Sequence, residues 1–403
     1  MIKNENRNNV PDGSDLHKPI QADMVSQVEN YLTMHYNFRR NAVLGRTDVK
    51  RKHNEEWKSL DDRECNSILN EMVKAGIRGT STLLRTVINS DYVPEFDPFV
   101  DYYKALPEWD GVDYIGQLAA TVETSNPDLF KTCVQKWLVA TVGTHLSGDV
   151  VNQTVLVLQG GQGIGKTRWQ QLLIPKALEG YVYAGRINPD NKDTLTHLAE
   201  CGFILMDELA AIVKSNSIEG FKELVTQKIV RLRRPYAEYP ENFTRRASFM
   251  GTTNSHEFLS DSTGNRRFLV FPVTQINHNH KINMDMVYAQ TYHLYKTGER
   301  FWLSDYEIKQ LAIHNSQFEQ KSLEEDLILQ ELEQCNADDT KDFLTATDVC
   351  QYLRDRNHKI SLTNATIQRI GAAMMKLGFK RVKREGRNCY AVKLKGWTGT
   401  ELM

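Results

Sequence analysis

The chain has 403 residues, 40% of them hydrophobic and 25% charged, and a formal net charge of -1. That length exceeds one ordinary hydrophobic core and predicts about two to three domains. The even charge excludes a basic field over the whole molecule, so any nucleic-acid site must come from local segregation of charge.

Six cysteines are scattered at 65, 133, 201, 335, 350 and 389 without CxxC or Cys/His pairing, which argues against a disulfide framework or a zinc site. No run approaches the ~18 apolar residues a membrane span needs. The first residues are polar and lack the apolar core of a signal peptide. A cytoplasmic protein with no membrane partner is expected.

Residues 1–18, rich in Asn and Asp, read as a disordered tail. Residues 19–118 read as an α+β N-terminal domain. Its helices lie in QADMVSQVENYLTMHY and DDRECNSILNEMVKAG, and FRRNAVLGRTDV forms a hairpin turning near Gly45. A packed, irregular aromatic connector, VPEFDPFVDYYKALPEWDGVDY, follows. Trp57 and Trp109 read as core or interface residues. In DLFKTCVQKWLVATVGTHLS, residues Phe130, Cys133, Val134, Trp137, Leu138 and Val142 share one helical face.

Residues 119–300 read as an α/β domain with a parallel sheet. Its buried strands end in polar residues: VLVLQ before a glycine-rich loop, FILM before Asp207-Glu208, and SFMGTT before Asn254. Ligands bind at such strand ends in open α/β sheets. A helical connector (301–340) and a winged-helix domain (341–396) complete the expected fold. The histidines His278 and His280, in NHNHK, read as a solvated turn rather than a metal site.

The stretch GGQGIGKTR contains G-x-x-x-x-G-K-[ST], preceded by a strand and followed by a helix, which is the context that motif requires. Gly160, Gly161, Gln162, Gly163, Ile164, Gly165, Lys166, Thr167 and Arg168 are the candidate nucleotide-binding residues. Glycines let backbone N–H groups close around phosphate, Lys166 reaches the β and γ phosphates, and Thr167 ligates Mg²⁺. Asp207 is the second metal residue and Glu208 can polarise the attacking water. Asn254 either holds that water or the γ-phosphate, or caps the strand's exit turn. Arg266 and Arg267 suit the charge of a transferring phosphoryl group, although paired surface arginines are common.

Taken in order, GGQGIGKT, FILMDE, GTTN and TGNRRF resemble the virulence-associated protein E family, with LPEWDGVDYIGQLA and VPEFDPF in support. The resemblance covers roughly residues 50–275. It implies a P-loop ATPase of the AAA+ class allied to superfamily III helicases: an ATP- and Mg²⁺-dependent ring motor in the replication of mobile DNA. It further implies that Lys166 and Thr167 act as the phosphate-loop pair, Asp207 and Glu208 as metal and water residues, and Asn254 as sensor. Arg266 or Arg267 would then be the finger reaching a neighbouring subunit. A homo-oligomer, most simply a hexameric ring, and replication proteins such as a primase are the implied partners.

Two basic regions are candidates for DNA contact. IVRLRRPYAEYPENFTRRASF is similar to the hairpin before the sensor strand in superfamily III motors. Arg231, Arg233 and Arg234 could grip phosphate there and Tyr236 could stack on bases, the plain alternative being a solvated hairpin. From Lys376 to Lys395 there are eight basic residues against one acid, Glu385. Gln368 and Arg369 on the preceding helix are candidates for base edges, and Lys383, Arg384 and Arg387 for the DNA backbone. A nucleotide-controlled regulatory switch, with a winged helix binding DNA or protein, is the alternative function.

Overall fold

A computed structural model describes residues 23–54, 56–210, 218–234, 239–259, 265–340 and 342–395. The Asp23 carboxylate accepts from the Ser26 N–H and caps α1 (Met24–His35). The chain then passes into β1 (Tyr36–Asn41) and β2 (Arg46–Arg51), an antiparallel pair whose turn uses Gly45 at φ 63°. β3 (Lys58–Ser59), α2 (Asp62–Lys74), α3 (Ser81–Ile88) and β4 (Glu95–Phe96) complete a sheet of order β3-β2-β1-β4. Val28, Leu32, Tyr36, Phe38, Val49, Ile68 and Met72 form its own core.

The aromatic segment read as a packed, irregular connector is partly helical and packs into the main core. It carries α4 (Pro98–Ala105), capped by Asp97, and α5 (Tyr114–Ala119). Phe99, Tyr103, Ile115 and Leu118 join one apolar cluster with Trp137, Leu156 and Leu158. After β5 (Val122–Thr124) comes α6 (Pro127–Leu146), which is buried on more than the one face its apolar residues mark. The threonines on its remaining face are accommodated because Thr141 and Thr144 donate back to the carbonyls of Trp137 and Ala140.

The large sheet comes next. Its elements are β6 (Val155–Gln159), α7 (Lys166–Leu172), β7 (Val182–Ala184), α8 (Lys192–Glu200), β8 (Phe203–Met206), α9 (Ile218–Thr226), the hairpin strands β9 (Ile229–Leu232) and β10 (Glu241–Thr244), β11 (Ser248–Thr253), β12 (Phe268–Ile276) and α10 (Met284–Lys296). The strand order is β5-β12-β6-β11-β8-β7, with β5 antiparallel and the others parallel. Every residue of β6, β8 and β11 is buried. Alternate side chains feed opposite layers, Leu156 and Leu158 to one and Val155 and Val157 to the other.

Beyond α11 (Asp305–Asn315), the helix α12 (Leu323–Glu331) and strand β13 (Leu332–Gln334) fall in the stretch read as a connector. Leu327, Ile328 and Leu332 nonetheless belong to the C-terminal core. That core also contains residues from α13 (Ala346–Arg356), α14 (Asn364–Lys376) and β16 (Arg387–Leu394). β16 pairs antiparallel with β13, β14 (Asp342–Leu344) and β15 (Arg381–Arg384). The tight β15–β16 turn places Glu385 at φ 50° and Gly386 at φ 78°, the pair of positive values a two-residue hairpin loop requires. Among the described residues no helix is long and apolar enough to cross a membrane.

Candidate functional site

Because β6, β11 and β8 are parallel neighbours, the residues immediately after them emerge at one edge of the sheet. The loop after β6 turns on Gly163 (φ 84°) and Gly165 (φ 90°), a left-handed geometry that favours glycine. Gly160 is required for a different reason: a β-carbon there would lie 2.5 Å from the Val273 carbonyl oxygen. Gln162 and Arg168 are exposed on the loop's rim, while the buried Gln170 anchors α7 by donating to the carbonyls of Leu156 and Gly251.

Lys166 is 7% exposed, and its Nζ donates to the Gly160 carbonyl (2.8 Å), the Gly161 carbonyl (2.6 Å) and Asn254 Oδ1 (2.9 Å). Burial pushes its pKa below the ordinary lysine value, against the pull of the nearby Glu208 and Asp207 carboxylates. The other end of the Asn254 amide donates to Glu208 Oε1 at 3.1 Å. Asn254 therefore bridges the loop lysine and the carboxylate. Glu208 sits at φ 57°, a costly conformation for a side chain with a β-carbon, of the kind found where a site over-determines its geometry. One position earlier, Asp207 Oδ1 accepts from Thr167 Oγ1 (2.8 Å) and Thr252 Oγ1 (3.1 Å).

These residues fit a Mg²⁺–nucleotide in donor chemistry. Thr167 and Asp207 offer adjacent hard oxygens, and Mg²⁺ typically takes few protein ligands and completes its shell with phosphate and water. No cluster of three His, Cys, Asp or Glu side chains suited to a metal occurs among the described residues.

Arg266 and Arg267 lie at the other end of the sheet. They precede Phe268, which pairs with Val155 at the start of β6. The five-residue strand β6 therefore separates them from the glycine-rich loop by about 17 Å. There they line a 280 Å³ cleft with Phe301 and the exposed Trp302. No arginine at that end can touch its own chain's loop.

The basic hairpin divides. Arg231 and Arg233 are exposed, and Tyr236 lies outside the described residues. Arg234 does not point to solvent as expected: its guanidinium donates to the Val43 carbonyl, pairs with Glu200 at 3.5 Å and lies over Phe243. Arg245 is fully buried, donating to the carbonyls of Val225, Asn152 and Ala247, and burial pulls its pKa down to about 9. Arg246 binds Asp97 at 2.6 Å and the His145 carbonyl.

In the C-terminal unit Gln368 is exposed, but the Arg369 guanidinium, expected at base edges, is held by Glu324 at 2.8 Å. Lys383 and Arg387 are exposed, and Arg384 lies over the Phe343 ring. Two neighbours of the site escaped the sequence reading. Thr252 was visible only as a threonine within GTTN. His278, expected in solvent, lies against Gly165 with its Nδ1 buried, because β12 runs beside β6 and delivers the turn after it onto the loop.

A family model of the virulence-associated protein E-like domain matches residues 104–320. No curated protein matches the chain in sequence. Among solved structures, the apo C-terminal region of NrS-1 (305–718) is similar at a TM-score of 0.52 and 13% identity, over 93% of this chain and 100% of that one. Its A form gives 0.49 and 12%, over 92% and 99%. A structure named as SCCmec type IV Cch, an active helicase, gives only 0.34 and 11%, over 88% and 92%. At such identity the first likeness speaks for the fold alone, a mixed α/β architecture with parallel strands.

Proposed function

The chain belongs to the virulence-associated protein E-like family, and on that premise we propose that it is an ATP-hydrolysing, Mg²⁺-dependent ring motor that acts on DNA. One observation carries the reading: Lys166, Asn254 and Glu208 form a continuous hydrogen-bonded line beside the Thr167–Asp207 pair. The loop amides and Lys166 would hold the phosphates, and Thr167 and Asp207 would hold the ion that neutralises their charge. Glu208 would accept a proton from water as the water oxygen bonds to the γ-phosphorus. The β–γ bridging bond breaks with its electron pair leaving on ADP.

Lys166 spends its donors on two loop carbonyls and Asn254, so phosphate must displace them. Asn254 would then be free to steer Glu208 and the attacking water. The placement of Arg266 and Arg267 far from their own loop supports a finger that serves a neighbouring subunit. Arg231 and Arg233 on one hairpin, and Gln368, Lys383 and Arg387 on a C-terminal winged helix, are the proposed DNA contacts.

The test is ATP turnover with and without single-stranded and forked DNA. DNA should stimulate hydrolysis, and Lys166→Ala should lower it by about 10²-fold or more. Arg267→Ala and Arg266→Ala should each be assayed alone and mixed with Lys166→Ala protein. Recovery of turnover in one mixture identifies the finger. Turnover indifferent to DNA would favour the nucleotide-controlled switch, and full activity in a monomer would exclude the ring.

A further inference from the structure

The turn after β12 holds an unusual concentration of unsatisfied polar atoms. His278 Nδ1 and both ring nitrogens of His280 are buried without a hydrogen-bond partner. Buried imidazole nitrogens normally find partners, and an unsatisfied group in a folded protein calls for an explanation such as a missing ligand. The turn is held in place: the Asn277 N–H donates to the Thr121 carbonyl, and the Thr121 hydroxyl accepts from Trp169 Nε1 on α7. The His278 ring lies over Gly165, close enough that a β-carbon at 165 would run into it. Gly165 is the last glycine before Lys166, so the ring lies directly beside the loop that would hold the phosphates.

We propose that His278 and His280 form the nucleoside end of the site, with the His278 ring packing against the base and the His280 nitrogens meeting polar edges of the base or ribose. The assignment rests on the loop binding a nucleotide. The chemistry fits a nucleobase, a flat ring with donors and acceptors on its edge. A neutral imidazole offers one nitrogen of each kind and a face for stacking. Burial lowers the pKa of His280, which favours that neutral form. Ile164, half-buried at the loop's tip, supplies an apolar neighbour.

Calorimetric titration of the full chain with ADP and with inorganic pyrophosphate separates this assignment from the one beneath it. His278→Ala should weaken ADP about tenfold, the effect of losing one base–ring stack, and leave pyrophosphate within about twofold. Lys166→Ala should weaken both. If ADP binds the wild type and His278→Ala binds it equally well, or if the substitution weakens both ligands alike, the nucleoside assignment fails and the phosphate loop stands. If the wild type binds neither ligand, both readings fall. Should His278→Ala fold poorly, the ring proton resonances of His278 and His280 in the wild type decide: they should shift with ADP and not with pyrophosphate, and equal or absent shifts overturn the proposal.

Discussion

Two arginine-rich hairpins in this molecule differ in how they use that residue type: the first keeps Arg231 and Arg233 exposed but turns three other arginines inward, and the second leaves its basic residues exposed. Around β9–β10, Arg234, Arg245 and Arg246 turn inward and serve as struts, each bonded to main-chain carbonyls and two of them also to carboxylates. Around β15–β16, Lys383 and Arg387 remain in solvent and only Arg384 rests on a ring. Composition does not separate the two hairpins. Tertiary surroundings do: Arg245 and Arg246 lead straight into the buried strand β11, whereas the β15–β16 turn projects its basic residues into solvent. A guanidinium suits both fates because it carries five donors and is weakly hydrated for a cation.

The largest effect that would break this contrast is at Arg245. Arg245→Met should lower the free energy of unfolding by about 3 kcal/mol, since three carbonyls lose their donor in a dry core. The shift in urea midpoint measures it, and a change below about 0.5 kcal/mol would mean the arginine is no strut.

Acid should act on the same anchorage. His145, whose carbonyl holds Arg246, is fully buried, and desolvation lowers its pKa to about 3. Its Nε2 must donate to the Gly202 carbonyl, so its Nδ1 accepts from Tyr103. The unfolded chain would bind a proton there near pH 6.5, which the folded chain refuses. The stability from this group is therefore complete above that pH and lost as pH falls toward 3. Unfolding measured at pH 6.5 and pH 5 should differ by about 2 kcal/mol from this group, and His145→Gln should remove that part of the slope.

On the exposed hairpin the effect should appear in binding. Lys383→Ala with Arg387→Ala should weaken DNA by about tenfold and lower the slope of log affinity against log salt by about 2, with unfolding unchanged. Smallest of all, Arg384→Ala should cost about 0.5–1 kcal/mol of stability through its lost ring contact, read from the same urea curves.

Sequence and structure agree most closely where chemistry dictates residue type. Lys166 and Thr167, Asp207 and Glu208, and Asn254 each come after an apolar run, and parallel pairing of those runs brings the five within hydrogen-bond contact. His278 was illegible because its burial depends on β12 lying next to β6, a tertiary fact, while its neighbours Asn277 and Asn279 signal a turn. Arg234 and Arg245 were illegible for the same reason, since a charged residue buried on carbonyls has no local signature. Helix α12 reads as a charged connector because its acidic residues mask the few apolar ones that reach the C-terminal core.

Strand β11 has a mechanical consequence. It runs six residues, all buried, from the anchors of the β9–β10 hairpin at Arg245–Arg246 to Asn254 at the lysine and carboxylate. Paired on both edges and packed on both faces, it has no slack along its length of about 20 Å. Sliding it would break both ladders at once, so the strand is a fixed strut that sets the separation between the hairpin's anchors and the Asn254 amide.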